Sequence, residues 1–148
     1  MLDVAGLPAA TMIATTISGT DTSAARSCSD WPLLTDAAIR QQHMPSVPMW
    51  KLDESTGINK IVRNFVTQGF QEGIDFINAA ARLAEARGHH PDLHLTGYRN
   101  VSVVLYTQSL GGLTENDFIL AREIDMKAKV KYSRKFLREN PVCSQSAL

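Results

Sequence analysis

The hydrophobic pattern changes its period at Phe70, and this change constrains the fold more than any other feature of the sequence. From Phe70 onward, apolar residues recur at the three- and four-residue spacing of one face of an α-helix. The residues expected to face inward are Phe70, Ile74, Ile77, Ala81 and Ala84, widened by Phe76, Ala80 and Leu83. Gly88 ends this helix, because glycine adopts left-handed backbone angles at little cost, and Pro91 prevents its continuation. The core must therefore form around one long helix that ends near residue 88.

Strand patterns on both sides of this helix predict two β-hairpins. Trp50 and Leu52 indicate a short strand, the DESTG cluster a turn, and residues 58–66 a second strand. After the helix, a turn around Gly97 leads into a strand with one wholly apolar face. That face consists of Val101, Val103 and Leu105.

Two further helices complete the pattern. Residues 35–43 predict a short helix that starts at the N-cap Thr35 and ends at MPSVP. Thr114 starts the last helix, with Asp117 three residues later as a variant of the capping box. Leu113 and Phe118 are placed as a hydrophobic staple, and the inward stripe of Phe118, Ala121, Ile124 and Ala128 is expected to run on until Pro141. The order helix, hairpin, helix, hairpin, helix predicts an α+β fold, in which a four-stranded antiparallel sheet carries helices on one face.

Length and composition limit the remaining possibilities. The 148 residues suit one domain, which we place at residues 31–140, with a flexible leader over 1–30 and a flexible tail over 141–148. Fifteen basic and fifteen acidic residues cancel, which removes the positive field that nucleic-acid binding requires. No apolar run approaches the roughly 20 residues that span a bilayer, so we expect a soluble protein without membrane association. Cys28 and Cys143 lie outside the patterned region and predict no disulfide framework.

The leader is rich in Ala, Thr and Ser but poor in basic residues. Before Arg40 there is one basic residue, Arg26, against four aspartates, whereas transit peptides are basic and poor in acids. We therefore expect a cytoplasmic protein, and organelle targeting by the leader stays open.

The stretch from Glu85 to Asp92, which contains His89 and His90, is the main candidate for chemistry. Histidine exchanges a proton near neutral pH because its ordinary pKa is about 6.5, and two adjacent rings can divide the roles of acid and base. Glu85 is close enough in sequence to orient one ring. Alternatively, the pair only favours the negative end of the helix dipole. A metal site using His90 and His94 is disfavoured, because Pro91 breaks the helix that would put both on one face.

The segment HHPDLHLTGYRNVSVVLYTQSLGGLTENDF resembles the signature region of the pterin-4a-carbinolamine dehydratases. The resemblance extends more weakly back to Trp50 and forward to about Ile124. It implies removal of water from 4a-hydroxytetrahydropterin to give quinonoid dihydropterin, in recycling of a tetrahydrobiopterin-type cofactor. The pterin is then the substrate, and neither a metal nor another cofactor is expected.

The same resemblance assigns candidate roles to individual residues. His89 and His90 occupy the positions of the family's catalytic pair. Substrate-binding or supporting positions are matched by Trp50, Glu85, Pro91, Gln108 and Asp117. Asp117 is also explained as a capping residue alone, Glu85 as a solvated residue of the last helical turn, and Trp50 as a core residue.

One of these positions departs from the family pattern. Gln108 stands where the family has a third active-site histidine, and an amide binds without exchanging protons. The alternative function is therefore a catalytically weakened assembly or dimerisation cofactor, whose basic segment from Lys127 to Arg138 could meet an acidic partner. Alternatively, that segment is a solvated helix end favoured by the helix dipole. The family also forms dimers or tetramers, so we expect a homodimer or homotetramer.

Overall fold

The computed structural model describes residues 27–146. The predicted leader lies outside the described residues except for its last four. In the described part of the chain, no helix is long and apolar enough to cross a membrane.

A four-stranded antiparallel sheet in the order β1-β2-β4-β3 forms the centre of the fold. The strands are β1 (Lys51–Asp53), β2 (Lys60–Val66), β3 (Asp92–Thr96) and β4 (Asn100–Leu105). A helical segment, α1, precedes the sheet and consists of an α-helical turn Asp36–Ala38, a π-helical turn Ile39–His43 and a 3-10 turn Met44–Ser46. The other helices are α2 (Phe70–Arg87), α3 (Glu115–Lys127), α4 (Arg134–Glu139) and α5 (Pro141–Ser146). The predicted α+β class and four-stranded antiparallel sheet are confirmed.

The two long helices, α2 and α3, pack against each other and bury the inner face of the sheet. In β4 the predicted alternation is confirmed, because Val101, Val103 and Leu105 are all buried. Helix α3 buries Phe118, Ala121 and Ile124, as its inward stripe predicted. Removing this apolar area from water supplies most of the stabilisation, at about 25 cal/mol per Å².

Helix α2 has the predicted limits but a shifted buried face. Its buried residues are Gly73, Phe76, Ala80 and Ala84. Gly73 marks a close approach to the sheet, since a Cβ there would lie 3.0 Å from Cδ1 of Leu95. Phe70, the first residue of the helix, lies about one turn before this contact and is 55% exposed, so its predicted inward position is wrong.

The C-terminal region also departs from prediction. Helix α3 ends at Lys127, well before Pro141, because the chain becomes extended and pairs with the end of β2. There, Gln68 N donates to Lys131 O at 2.9 Å and Ser133 N donates to Val66 O at 2.8 Å. Pro141 starts α5 where a flexible tail was expected, since proline is tolerated in the first turn of a helix, and Cys143 of that helix is buried.

Candidate active site

Both histidines follow helix α2, but they lie in different environments. Gly88 adopts the predicted left-handed conformation (φ 63°), and its N–H is satisfied by carbonyls of the last turn. The turn leaves the His89 side chain 4% exposed and the His90 side chain 61% exposed. Pro91 separates the pair from β3. The sequence neighbours therefore form one buried and one solvent-facing imidazole.

His89 is held by the fully buried carboxylate of Asp117. Its Nε2 lies 2.6 Å from Asp117 Oδ1. The other oxygen, Oδ2, accepts from the backbone N–H of Thr114 at 2.8 Å and from Thr107 Oγ1 at 2.9 Å. An ionised carboxylate only accepts hydrogen bonds, so His89 carries a proton on Nε2 in this arrangement. Asp117 thus closes the capping box of α3 and also orients the His89 ring.

His90 is paired with the second carboxylate, Glu85, in the last turn of α2. Its Nε2 lies 2.8 Å from Glu85 Oε1, and both side chains are mostly exposed. The sequence suggested that Glu85 could orient one ring, and the ring that it contacts is His90. Because solvent screens this pair, the contact orients the ring more than it stabilises the fold.

The thiol of Cys28 is the second partner of His89. Cys28 Sγ lies 3.2 Å from His89 Nδ1 and donates to Gly88 O at 3.1 Å. Burial, and after it the negative charge of Asp117, raises the pKa of this thiol. The thiol is therefore protonated at neutral pH, and its single hydrogen is donated either to Gly88 O or to His89 Nδ1. Both ring nitrogens of His89 are engaged.

A cavity of about 290 Å³ opens beside the two rings. It is lined by both histidines together with Cys28, Tyr106, Thr107 and Gln108. This volume lies at the lower end of small-molecule sites, which span roughly 300–1,000 Å³. Gln108 lies in a 3-10 turn after β4 and is exposed at the cavity. The cavity can therefore accept a small molecule beside two imidazole rings.

Four predicted site residues do not line the cavity: Glu85 and Asp117, which contact the two histidines, and Trp50 and Pro91. Trp50 is 3% exposed, precedes β1, and donates through Nε1 to both oxygens of Asp125 at 3.0 Å. Arg63 Nη1 donates to the same carboxylate at 2.7 Å, on the inner face of β2. Trp50 thus belongs to a buried polar network in the core.

The sequence did not identify three residues of the site: Cys28, Tyr106 and Thr107. Cys28 was assigned to the leader, and nothing in the local pattern links it to a histidine 61 positions away. Tyr106 is flanked by the ammonium of Lys60, which lies 4.5 Å from its ring centroid. The alternation of β4 was a usable signal for Tyr106, because it places this residue opposite to Leu105. Among the described residues, no group of three or more His, Cys, Asp or Glu side chains could hold a metal ion.

The fold and the site together define an α+β domain with a cavity lined by two histidines, each in contact with a carboxylate. The family model described as Pterin 4 alpha carbinolamine dehydratase matches residues 32–127, more than half of the chain. The chain belongs to this family, which is a family of dehydratases (hydro-lyases) acting on a pterin.

Individual relatives agree with this assignment. The chain is 44% identical over 85 residues to "Pterin-4-alpha-carbinolamine dehydratase 2, mitochondrial" of Arabidopsis thaliana, covering 57% of this chain and 46% of that protein, so it spans about half the length of this relative. A Chloroflexus aggregans protein provisionally named for the same activity is 44% identical over 92 residues, covering 62% of this chain and 93% of that protein. A crystal structure titled transcriptional coactivator/pterin dehydratase from Brucella melitensis superposes with a TM-score of 0.59 at 30% identity, covering 66% of this chain and 99% of the other.

Proposed function

We propose that this domain removes water from 4a-hydroxytetrahydropterin to give quinonoid dihydropterin, as a step in recycling a tetrahydrobiopterin-type cofactor. The observation that carries the proposal is that His89 and His90 line one cavity while each is held by its own carboxylate. Family membership supports the reaction class, and the geometry supports two separate proton-transfer groups.

The proposed reaction needs one proton delivered and one removed. The bond between C4a and its hydroxyl oxygen breaks, and the hydroxyl leaves as water after protonation. The adjacent ring N–H loses its proton, and its electron pair forms the new C=N bond. Oxidation state is unchanged, so the step requires no redox cofactor. Positioned acid and base groups accelerate such steps by about 10²- to 10⁴-fold each.

The carboxylates decide which ring atoms take part. Asp117 engages Nε2 of His89, so Nδ1 is the nitrogen through which His89 would exchange a proton with substrate. Glu85 engages Nε2 of His90 in the same way, on the exposed side of the site. In this proposal the pair divides the acid and base roles.

Gln108 and Tyr106 complete the site as binding groups. The Gln108 amide both donates and accepts hydrogen bonds, which suits the amide-like edge of a pterin, but it does not exchange protons in the working range. Tyr106 provides an aromatic wall of the cavity.

A dehydration assay on purified protein tests the proposal. Replacing both His89 and His90 by Ala should lower the rate by at least about 100-fold, because the acid and the base are lost together. His94→Ala is the matched control, since His94 is an exposed histidine on β3 that does not line the cavity. Activity of the double variant equal to that of the intact protein would exclude the proposed mechanism.

A second candidate function is assembly, and Gln108 is the observation that favours it. The Brucella relative has a title that includes transcriptional coactivator, so a non-catalytic role for this chain is a specific alternative. Gln108→His separates the two. A large gain in dehydration rate indicates weakened catalysis, whereas no activity in either form supports an assembly or dimerisation cofactor.

We also propose a homodimer or homotetramer located in the cytoplasm. The described sheet has two edge strands, β1 and β3, and an edge strand offers unpaired backbone groups to a second copy. Light scattering should give a multiple of the 16.3 kDa chain mass, and a lone 16.3 kDa species at micromolar concentration argues against assembly. The cytoplasmic assignment rests on the acidic leader, and imaging of the tagged full chain tests it against organelle targeting.

A further inference from the structure

Cys28 covers the His89 nitrogen that the proposed reaction needs. With Nε2 engaged by Asp117, the remaining ring nitrogen is Nδ1, and Cys28 Sγ lies 3.2 Å from it. The same sulfur is one wall of the cavity. A substrate atom cannot occupy the position of this sulfur, so contact between pterin and Nδ1 requires Cys28 to move.

This contact comes from outside the part of the chain that matches the family. The family model begins at residue 32, and Cys28 lies before it, in the segment of residues 27–31. We call this segment the strap. The chain joins the body of the domain directly after it, where Leu34 N donates to Leu113 O at 2.9 Å and Leu33 bridges to Thr114. The strap therefore lies outside the residues that the family model matches, and its Cys28 forms one wall of the cavity.

The part of the strap that carries Cys28, residues 27–30, is lightly attached. None of its residues is buried, and its turn Cys28–Asp30 is closed by its own hydrogen bonds between Ser27 and Asp30. The contacts described between Cys28 and the site run through one thiol, to Gly88 O, His89 Nδ1 and the amide of Asn116 at 3.8 Å. A thiol is a weak donor and a weak acceptor. Segments with little buried area and few strong hydrogen bonds open at low free-energy cost.

We propose that the strap is an autoinhibitory gate, in which Cys28 competes with pterin for Nδ1 of His89. The gate rests on the proposed dehydratase function, because it assumes that pterin contacts His89. When pterin binds, the thiol leaves Nδ1 and the turn Cys28–Asp30 moves away from the neighbouring turn Gln108–Leu110. A ligand that must first displace a competing contact loses binding free energy equal to the free energy of that contact.

Binding of biopterin to the intact chain and to variants tests the gate. Cys28→Ala removes the competing contact and should bind biopterin about two- to tenfold more tightly, the range expected for one neutral hydrogen bond. Cys28→Ser keeps a hydroxyl donor at this position and should stay close to the intact protein. Ser29→Ala, in the same exposed turn, is the matched control and should leave affinity unchanged. In turnover, Cys28→Ala should lower KM, whereas Ser29→Ala should leave KM unchanged.

Alkylation by iodoacetamide provides a readout that does not depend on turnover. Bound biopterin should speed the labelling of Cys28, because the displaced thiol becomes accessible, while the buried Cys143 provides an internal reference. Equal or weaker binding by Cys28→Ala, or protection of Cys28 by biopterin, overturns the gate and leaves the dehydratase proposal intact provided that the protein dehydrates substrate. If no form binds biopterin or dehydrates substrate, the proposed function and the gate are both overturned.

Discussion

Replacing Asp117 by Asn separates the two duties of this carboxylate. Asp117 accepts four hydrogen bonds in a fully buried position, one from His89 and three on its other oxygen, from the N–H and Oγ1 of Thr114 and from Oγ1 of Thr107. An amide of the same shape has one acceptor oxygen and one NH2 donor. It can therefore satisfy only one side of this arrangement at a time, and the structure determines which side.

The amide should keep its oxygen toward Thr114. If the NH2 faced the backbone N–H of Thr114, two buried donors would meet, at a cost of about 1–3 kcal/mol for the unsatisfied group. If the NH2 faces His89 instead, the ring can accept through Nε2 by moving its proton to Nδ1. This second arrangement leaves no buried donor unpaired. The unfolding free energy should therefore fall by only about 1–2 kcal/mol, because a neutral hydrogen bond replaces the charge-assisted one.

The change of tautomer should abolish the catalytic use of His89. With its proton on Nδ1, the neutral ring no longer accepts a proton at the atom next to the cavity. The dehydration rate should therefore fall by about 10²- to 10⁴-fold although the protein stays folded. Urea denaturation measures stability, the dehydration assay measures the rate, and nitrogen chemical shifts of His89 report the tautomer.

Glu115→Gln is the matched control for this experiment. Glu115 is an exposed acid in the same first turn of α3, and its replacement should change neither the rate nor the tautomer. A rate for Asp117→Asn within about threefold of the intact protein, together with the moved proton, would falsify the argument that Asp117 sets His89 for catalysis. A large loss of stability at unchanged rate would assign Asp117 to helix capping alone.

Three further predictions concern stability and binding. Gly88→Ala should destabilise the fold by about 1 kcal/mol in urea denaturation, because residue 88 has φ 63°; an unchanged midpoint contradicts this. Trp50→Phe should lower stability by about 1–3 kcal/mol, because Asp125 loses a buried donor, but should leave the KM for pterin unchanged; a raised KM would return Trp50 to the site. A hydrogen bond from Arg87 lowers the pKa of Glu123 below its ordinary value of 4.5, so the stability it contributes is present above about pH 4.5 and lost as pH falls through the lower folded value. Glu123→Gln should flatten the acid side of the stability curve in that window, and an unchanged slope would contradict the linkage.

The fold was predictable where local rules decide it. The end of α2 at Gly88 and the start of α3 at Thr114 follow from backbone preferences that act within a few residues. The alternation in β4 needed only period two. The C-terminal region was not predictable in this way, because Tyr132 is extended by pairing with Thr67, which is far away in sequence.

The same distinction between local and long-range contacts applies to the residues of the site. The two histidines and Glu85 were identified because they are neighbours at one helix exit, where local sequence brings them together. Asp117 was ambiguous, since capping and ring orientation both require an acid at that position, and only its distance to His89 shows that it makes both contacts.

Taken alone, the sequence determined the helix that organises the core and the antiparallel sheet, and it predicted the histidine pair at residues 89 and 90 as the candidate site. The tertiary structure decided which ring is buried, placed Trp50 in the core, and brought Cys28 against His89. The physical reason is the sequence separation over which each interaction acts. Caps, turns and periodicity act over a few residues and leave a pattern in the sequence, whereas a contact across 61 positions depends on how all the intervening elements pack and leaves none.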